Sequence, residues 1–245
     1  MNKWTKTMVG ACISVLLLTA TCVACSSTNP AINGIARGDH PDSDPNSSLV
    51  VNISGEISHD TYTNGQTGTI TFSRFPTTLA EFKHVRDQIG AEPHGAVALE
   101  IMAFEMFRRN KDVGSACIDL NSTTTFATNC KTQLKRSLEV CPYMLAAYLQ
   151  GTTPDNGYNP SEPYTIEIKV DDAIEYEYSS IYQCNVLALV IRCSGKGSEW
   201  QKVSVICTAK PGEPSKKKYF IVMSGGGLLS KVQEVSFENP FQGLK

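Results

Sequence analysis

The spacing of apolar residues changes in the segment between Gly151 and Pro163, where the helical block of this chain ends. Before this segment apolar residues recur every three to four positions, as at Leu79, Phe82 and Val85, which is typical of a helix with one buried face. After it they alternate with polar residues, which is typical of strands. A block of helices followed by a block of strands favours an α+β fold in which the helices pack on one face of an antiparallel sheet.

Three to four helices are predicted before the change. The first begins with Thr77 or Thr78 as its N-cap, and Glu81, three residues after Thr78, indicates a capping box. The second, "EPHGAVALEIMAFEMFRRN", is apolar on most of its surface, so we expect it to be buried. "DVGSACIDLN" is a short third helix. The last stretch must kink or restart at Pro142 and is predicted to end at Gly151.

Strands are predicted on both sides of the helical block. "SLVVNISGEIS" and "GQTGTITFSRFP" form an N-terminal strand pair joined as a hairpin. Short polar turns separate the later strands, which predicts an antiparallel four-strand meander. These strands are "PYTIEIKV", "IYQCNVLALVIRC", "WQKVSVICTAK" and "KYFIVMS". Residues 49–240 are therefore expected to form a single α+β domain.

Residues 1–24 are predicted to be a secretory signal. Lys3 and Lys6 precede the uncharged stretch "VGACISVLLLTATCVA", and the polar segment "SSTNP" follows it. The apolar stretch is short for a membrane-spanning helix, which needs about 20 residues. An uncleaved single-pass anchor is the alternative interpretation.

The residues before Cys25 resemble a lipobox, the cleavage site of bacterial lipoproteins. Val23 and Ala24 match its usual form, whereas Cys22 stands where leucine is usual. This resemblance predicts that the mature chain begins at Cys25 and carries acyl chains that anchor it to the cell membrane or outer membrane, with the domain on the extracytoplasmic side. A start at Cys22 or an ordinary signal peptidase site are the alternatives. Residues 25–48, rich in Ser, Asn, Asp, Gly and Pro, are predicted to be a flexible tether.

Six cysteines lie in the predicted domain, and an even number in an exported chain is typical of disulfides. Cys117 and Cys130 flank a segment interpreted as a polar loop, and a disulfide closing it would stabilise the fold by about 3 kcal/mol. A metal site is a weaker alternative because the spacing is unsuitable, and free buried thiols are another. The candidate disulfide cysteines are Cys117, Cys130, Cys141, Cys184, Cys193 and Cys207.

The charge balance argues against a role in binding nucleic acid. The chain has 22 Lys+Arg and 24 Asp+Glu, and removing Lys3 and Lys6 with the signal leaves 20 against 24, a formal charge of −4. Nucleic-acid binding needs a strongly basic face, which this balance disfavours.

Sequence signatures of catalysis are absent. The chain has no GxSxG motif and no phosphate-binding glycine loop. Catalysis by a nucleophile needs an adjacent base, and the four histidines are interpreted as surface residues instead. We therefore predict no catalytic residues, no cofactor and no metal. The histidines are His40, His59, His84 and His94.

The segment "YLQGTTPDNGYNPSEPYTI" carries a distinctive pattern, G-x-x-P-x-N-x-Y-x-P-x-x-P-Y, from Gly151 to Tyr164. Together with "RFPTTLAEFK" upstream, it resembles a family of uncharacterised exported bacterial proteins that share a domain of unknown function. The resemblance extends from about Phe75 to about Val235. It implies a shared fold for most of the mature chain and brings no known activity.

The same segment has two interpretations. Its prolines and glycines favour a rigid connector that sets the angle between helices and sheet. Alternatively, Asp155, Asn156 and Tyr158 form a contact loop for a glycan, a peptide or an envelope protein, because rigid loops lose little entropy on binding. The acidic hairpin "DDAIEYEYSS" is a second candidate contact surface.

Two functional hypotheses follow. The first is a membrane-tethered lipoprotein with a non-enzymatic binding or envelope-associated domain. The second is an exported hydrolase acting on envelope or extracellular polymers, which requires an open cleft lined by titratable groups.

Overall fold

The computed structural model describes residues 48–58, 63–172, 177–181, 183–208 and 218–236. These residues form four α-helices and one seven-stranded antiparallel sheet, which confirms a fold of mixed helix and strand. The predicted signal, Cys25 and the tether up to residue 47 lie outside the described residues. No helix within the described ranges is long and apolar enough to cross a membrane.

The sheet joins the N-terminal strand pair to the later strands. Strand β2 pairs with β1 on one side and with β3 on the other, where Ile70 lies opposite Ile166. The order across the sheet is β1-β2-β3-β5-β6-β7, and β4 pairs with β5 beside this path. The strands are β1 (Val51–Gly55), β2 (Thr67–Phe72), β3 (Tyr164–Val170), β4 (Glu177–Ser179), β5 (Cys184–Arg192), β6 (Trp200–Cys207) and β7 (Phe220–Ser224).

Strand β4 was not predicted. Among the described residues five strands, β3 to β7, follow the helices instead of the four expected. β3 pairs with β5 only over Ile168–Val170, so the first half of β5 would lack a partner on that side. Glu177–Ser179 fills this position opposite Cys184–Val186. A three-residue strand has too little alternation to be recognised in sequence, and pairing with a distant strand decides its conformation.

The four helices are α1 (Leu79–Ile89), α2 (Pro93–Arg109), α3 (Lys111–Asn121) and α4 (Thr124–Val140). The hydroxyl of Thr78 accepts from the backbone N–H of Glu81, which is the predicted start of α1. The prediction that helix continues to Gly151 is wrong. α4 ends at Val140, and only a short 3-10 turn at Ala146–Tyr148 follows, because Pro142 cannot continue the hydrogen-bond ladder.

Helix α2 is the centre of the core. Every residue from Pro93 to Phe107 is buried, as expected for a helix that is apolar on most of its surface. It contacts α1, α3 and α4 as well as strands β2, β3, β5, β6 and β7. The helices therefore cover one face of the sheet, and the interface between helices and sheet is filled by side chains.

Helices α2 and α3 approach closely at Gly114. A Cβ atom added at Gly114 would lie 2.1 Å from the backbone nitrogen of Phe107, well inside van der Waals contact. The backbone of Phe107 belongs to the buried helix and cannot move aside without disturbing the core. Only glycine fits here, although it lies inside a helix where alanine is intrinsically preferred.

We expect Gly114→Ala to lower the free energy of unfolding by about 1–3 kcal/mol, because overpacking outweighs the roughly 1 kcal/mol gained in helix propensity. Urea denaturation followed by circular dichroism measures the change. Gly197→Ala is the matched control, since no atom lies within 4 Å of its added Cβ. An unfolding midpoint for Gly114→Ala equal to or above that of the unmodified protein would contradict the close approach.

Candidate functional site

The segment from Gly151 to Pro163 is tied to itself and to the sheet. Asn156 uses its side chain within the segment: its Oδ1 accepts from the backbone N–H of Thr153 at 2.9 Å, and its Nδ2 donates to the carbonyl of Gly151 at 2.8 Å. The N–H of Gln150 donates to the carbonyl of Thr165 in β3 at 2.8 Å. These bonds support the interpretation of a rigid connector.

Tyr158 is also part of the connector rather than a surface contact. It is 0% exposed, its ring stacks on Tyr143 with centroids 5.2 Å apart, and its hydroxyl donates to the carbonyl of Gln233 at 2.7 Å. These contacts hold its backbone in the left-handed region, at a φ of 57°, which is unusual for a residue other than glycine. Of the predicted contact residues, Asp155 and Asn156 are exposed, and only Asp155 has a side chain that the connector does not use.

A cleft of about 440 Å³ lies where the connector meets the sheet. We call it the sheet cleft. One wall is the chain from residue 147 to 153, and the other is formed by Thr165, Glu167, Arg192, Ser194 and Glu199. Its volume is within the range typical of small-ligand sites. The sequence predicted the neighbouring contact loop but not the charged wall of the cleft. Residues from β3 and from both ends of the β5–β6 turn form this wall, and they are far apart in sequence.

Arg192 is at the centre of the charged wall. Its Nε donates to Glu199 at 2.7 Å and its Nη1 donates to Glu167 at 3.1 Å. These two carboxylates raise the pKa of Arg192, and the hydrogen bond that Arg192 donates to Glu167 is the largest cause. The arginine side chain is 45% exposed, so these ion pairs contribute little to folding stability and remain accessible.

The hydroxyl groups of the sheet cleft are bonded to the backbone. Thr152 donates to the carbonyl of Leu149 at 2.7 Å and lies 2.9 Å from the hydroxyl of Ser194. Ser194 donates in turn to the carbonyl of Ala147. Among the described residues, the lining of this cleft includes neither histidine nor cysteine, so neither hydroxyl has an imidazole or thiolate base there.

An aromatic residue lies next to the cleft. Trp200 in β6 is directly opposite Arg192 in β5, so both side chains are on the face of the sheet that the helices do not cover. The ammonium group of Lys169 lies 4.5 Å from the centroid of the Trp200 ring. This face therefore combines a partly exposed indole ring with the Glu167–Arg192–Glu199 network.

The structure corrects the predicted disulfides: all six cysteines of the domain are free, buried thiols. The segment between Cys117 and Cys130 is the end of α3 and the start of α4 rather than a loop. Burial raises the pKa of both of these thiols to about 12, so they are protonated and unreactive at neutral pH. The remaining four are Cys141, Cys184, Cys193 and Cys207.

Buried polar residues inside the helical layer were not foreseen. Glu100 in α2 is 0% exposed, and its carboxylate accepts from the Asn121 amide at 2.8 Å and the Ser122 hydroxyl at 2.9 Å. Burial is the largest effect on the pKa of Glu100 and raises it to about 7. The two hydrogen bonds lower this pKa, but by less. The prediction that His94 is a surface residue is wrong, since it is 1% exposed, whereas His84 is exposed as expected. No three His, Cys, Asp or Glu residues of the described part are placed to hold a metal ion.

The fold and the sheet cleft define a class of protein: an α+β domain with a filled core and a cleft with one charged wall on the free face of its sheet. The model of a family described as a domain of unknown function, DUF6935, matches residues 74–236, which is more than half of the chain. The chain belongs to this family. No curated protein and no solved structure matches the chain.

The buried Glu100 predicts an unusual dependence of stability on pH. Its pKa is about 7 in the folded protein and about 4.5 in the unfolded chain, so the folded state holds the proton more tightly. The contribution of Glu100 to stability is then greatest below pH 4.5 and is lost as the pH rises toward 7, by up to about 3 kcal/mol. We expect Glu100→Gln to remove this loss.

Urea denaturation of both proteins at pH 5 and pH 8 measures the effect. The unmodified protein should lose stability relative to Glu100→Gln as the pH rises. The exposed residue Glu139 provides the control, because Glu139→Gln should follow the unmodified protein at both pH values. If the unmodified protein and Glu100→Gln differ by the same amount at pH 5 and pH 8, the elevated pKa is refuted.

Proposed function

We propose that this protein is a lipid-anchored, non-enzymatic binding domain of the bacterial envelope, and that the sheet cleft binds a glycan. The Glu167–Arg192–Glu199 network in an accessible cleft is the observation that carries the proposal. Sugar hydroxyls both donate and accept hydrogen bonds, so a guanidinium held between two carboxylates offers them both kinds of partner. The family assignment indicates no ligand, and the glycan is inferred from the cleft alone.

Two further features favour a glycan over a peptide. Trp200 lies beside Arg192 and provides an apolar surface for the carbon-bound hydrogens of a sugar ring, while Lys169 above it is a flexible side chain that can move aside. The wall from residue 147 to 153 is fixed by backbone hydrogen bonds, so little conformational entropy is lost on binding.

The arrangement of the carboxylates favours binding over hydrolysis. Glycoside hydrolysis by paired carboxyl groups needs one of them to be protonated so that it can act as the acid. Glu167 and Glu199 both accept hydrogen bonds from the same guanidinium, so both carboxylates are already engaged as acceptors. Among the described residues, the interface between helices and sheet is itself filled by apolar side chains, so it does not provide the open cleft that the hydrolase hypothesis requires there.

The N-terminal residues support the proposed anchoring. Acylation at Cys25 would attach the mature chain to a membrane, and residues 25–48 would act as the tether. A flexible chain of this length has a root-mean-square extension of about 25–30 Å. The domain would thus reach ligands close to the membrane surface.

We expect Arg192→Ala to weaken glycan binding by about tenfold or more, because it removes the charged donor from the centre of the network. Affinity electrophoresis through gels containing soluble envelope and plant polysaccharides measures retardation of the unmodified protein and the variant. Arg136→Ala, on the exposed surface of α4, is the matched control and should bind normally. Equal retardation of both variants, or no retardation in any polysaccharide, would contradict the proposed site. Release of reducing sugar from a retarding polymer would instead favour the hydrolase.

We expect Cys25→Ser to move the protein from the detergent-rich phase to the aqueous phase when cells of a bacterial host are extracted with Triton X-114, because the acyl chains are lost. Cys22→Ser provides the control and should leave the protein in the detergent phase. Intact mass spectrometry of the unmodified protein should give an acylated N-terminus at Cys25. The opposite behaviour of the two variants would assign the lipid to Cys22.

A further inference from the structure

The turn between β5 and β6 carries a half-buried lysine, Lys196, whose hydrogen-bond partners are neutral. Its ammonium group donates to the hydroxyl of Tyr148 at 2.8 Å and to the carbonyl of Gly227 at 2.6 Å. The ammonium group also lies 5.2 Å from the centroid of the Tyr148 ring. Within the described part of the chain, no carboxylate forms an ion pair with it. Buried lysines are usually paired with an acid, so removing this cation from water costs free energy that neutral acceptors only partly offset.

The groups that Lys196 contacts have other hydrogen-bond partners. The Tyr148 hydroxyl donates to the carbonyl of Leu228 at 2.7 Å, and the carbonyl of Gly227 accepts from the Ser230 hydroxyl at 2.8 Å. Removing the lysine would therefore leave neither group without a partner. Burial lowers the pKa of Lys196, because its surroundings disfavour the charged form. The fold thus gains little stability from this cation, which indicates that its role is a different one.

Lys196 lies where the two walls of the sheet cleft meet a third segment. Its own turn connects Ser194 to Glu199, which both belong to the charged wall, and Tyr148 belongs to the opposite wall. Gly227 belongs to residues 225–236, which follow β7 and which we call the C-terminal strap. One ammonium group therefore joins both walls of the cleft to the C-terminal strap.

The C-terminal strap is bonded to the same two sides at further points. The backbone N–H of Gln233 donates to the carbonyl of Gly195 in the β5–β6 turn at 2.6 Å. The carbonyl of Gln233 accepts from the hydroxyl of Tyr158 in the connector at 2.7 Å, and the N–H of Ser236 donates to the carbonyl of Pro154 at 3.1 Å. The strap thus links the β5–β6 turn to the connector, and the lysine of that turn adds a side-chain link to the cleft wall itself.

We propose that Lys196 is a positioning residue of the sheet cleft, which holds the wall at Tyr148 in place against the charged wall and so sets the width of the glycan site. This inference rests on the proposed function of the cleft and adds a residue that does not line it. The hydrogen bonds of Lys196 restrict motion within the folded protein, whereas the desolvation of its charge lowers stability relative to the unfolded chain. A buried charged group of this kind favours one conformation at a cost in stability.

Stability and binding should therefore respond differently to Lys196→Met. Methionine keeps the apolar contact with the Tyr148 ring and removes the charge, so we expect a urea denaturation midpoint equal to or above that of the unmodified protein. In affinity electrophoresis with a polysaccharide that retards the unmodified protein, the apparent affinity should fall by about fivefold, as expected for the loss of one or two hydrogen bonds that fix the wall. Lys196→Arg keeps the charge and the donors and should bind more tightly than Lys196→Met.

Hydrogen–deuterium exchange of the full-length protein reports on the wall without any ligand. We expect the amides of residues 147–153 to exchange faster in Lys196→Met than in the unmodified protein, because fewer contacts then hold Tyr148. Lys231→Met is the matched control, since Lys231 is an exposed lysine of the same strap. Its substitution should change neither the exchange of these amides nor the retardation by polysaccharide.

Three results would overturn the proposal. The first is unchanged exchange of residues 147–153 in Lys196→Met. The second is a lower urea midpoint for this variant, which would make Lys196 a residue of general stability. The third is faster exchange with unchanged retardation, which would leave the glycan site intact and remove Lys196 from it.

Failure of the proposed function gives a different pattern. If no polysaccharide retards the unmodified protein, glycan binding is refuted, and the exchange of residues 147–153 in Lys196→Met and Lys231→Met still decides whether Lys196 positions the wall.

Discussion

The structure depends on the burial of α2 on all sides. The carboxylates of a helix that is covered from Pro93 to Phe107 must find their hydrogen-bond partners within the protein. Glu105 is paired with Arg108 and Arg109 one turn further along, so its charge is balanced by two cations. Glu100 receives only the neutral donors of Asn121 and Ser122, so burial dominates its ionisation. Two carboxylates five residues apart on one helix thus have different partners, charged arginines for Glu105 and neutral donors for Glu100.

The position of α2 also determines which surfaces of the sheet stay accessible. Because the helices cover only one face of the sheet, the side chains of Arg192 and Trp200 on the other face remain accessible. The N-terminal end of α2 meets the β1–β2 hairpin, and the absence of a side chain at Gly68 allows the ring of His94 to enter. The sheet cleft therefore lies on the free face of the sheet, whereas the ring of His94 fills the space between the core helix and β2.

Local sequence signals predicted those parts of the fold that local interactions determine. The N-cap at Thr78 and the alternation along β3 each depend on residues within one element, and both are present. The Glu81 carboxylate does not complete the predicted capping box, because it accepts from the backbone N–H of Thr77 and pairs with Arg74. Strand β4, the burial of His94 and the ionisation of Glu100 depend on residues far away in sequence, such as Gly68 and Asn121. No periodicity within a single element contains that information. The contact loop is a similar case. Its prolines and glycines predicted that it is rigid, but the hydrogen bonds of the Asn156 side chain to the loop backbone depend on the folded geometry.

Because its six cysteines are free thiols, the domain is not stabilised by disulfides. A disulfide stabilises chiefly by restricting the unfolded chain, and small exported domains need that restriction because their cores are small. This domain has a continuous core that extends from β1 to the 3-10 turn at Gly226–Leu229. Cys117 contacts the sulfur of Met106 at 3.7 Å and is fully buried, so it contributes to the core as an apolar side chain. Hydrophobic burial therefore stabilises the fold without disulfides. The free thiols do not indicate whether the protein is exported. The proposed envelope location rests on the residues around Cys25 alone.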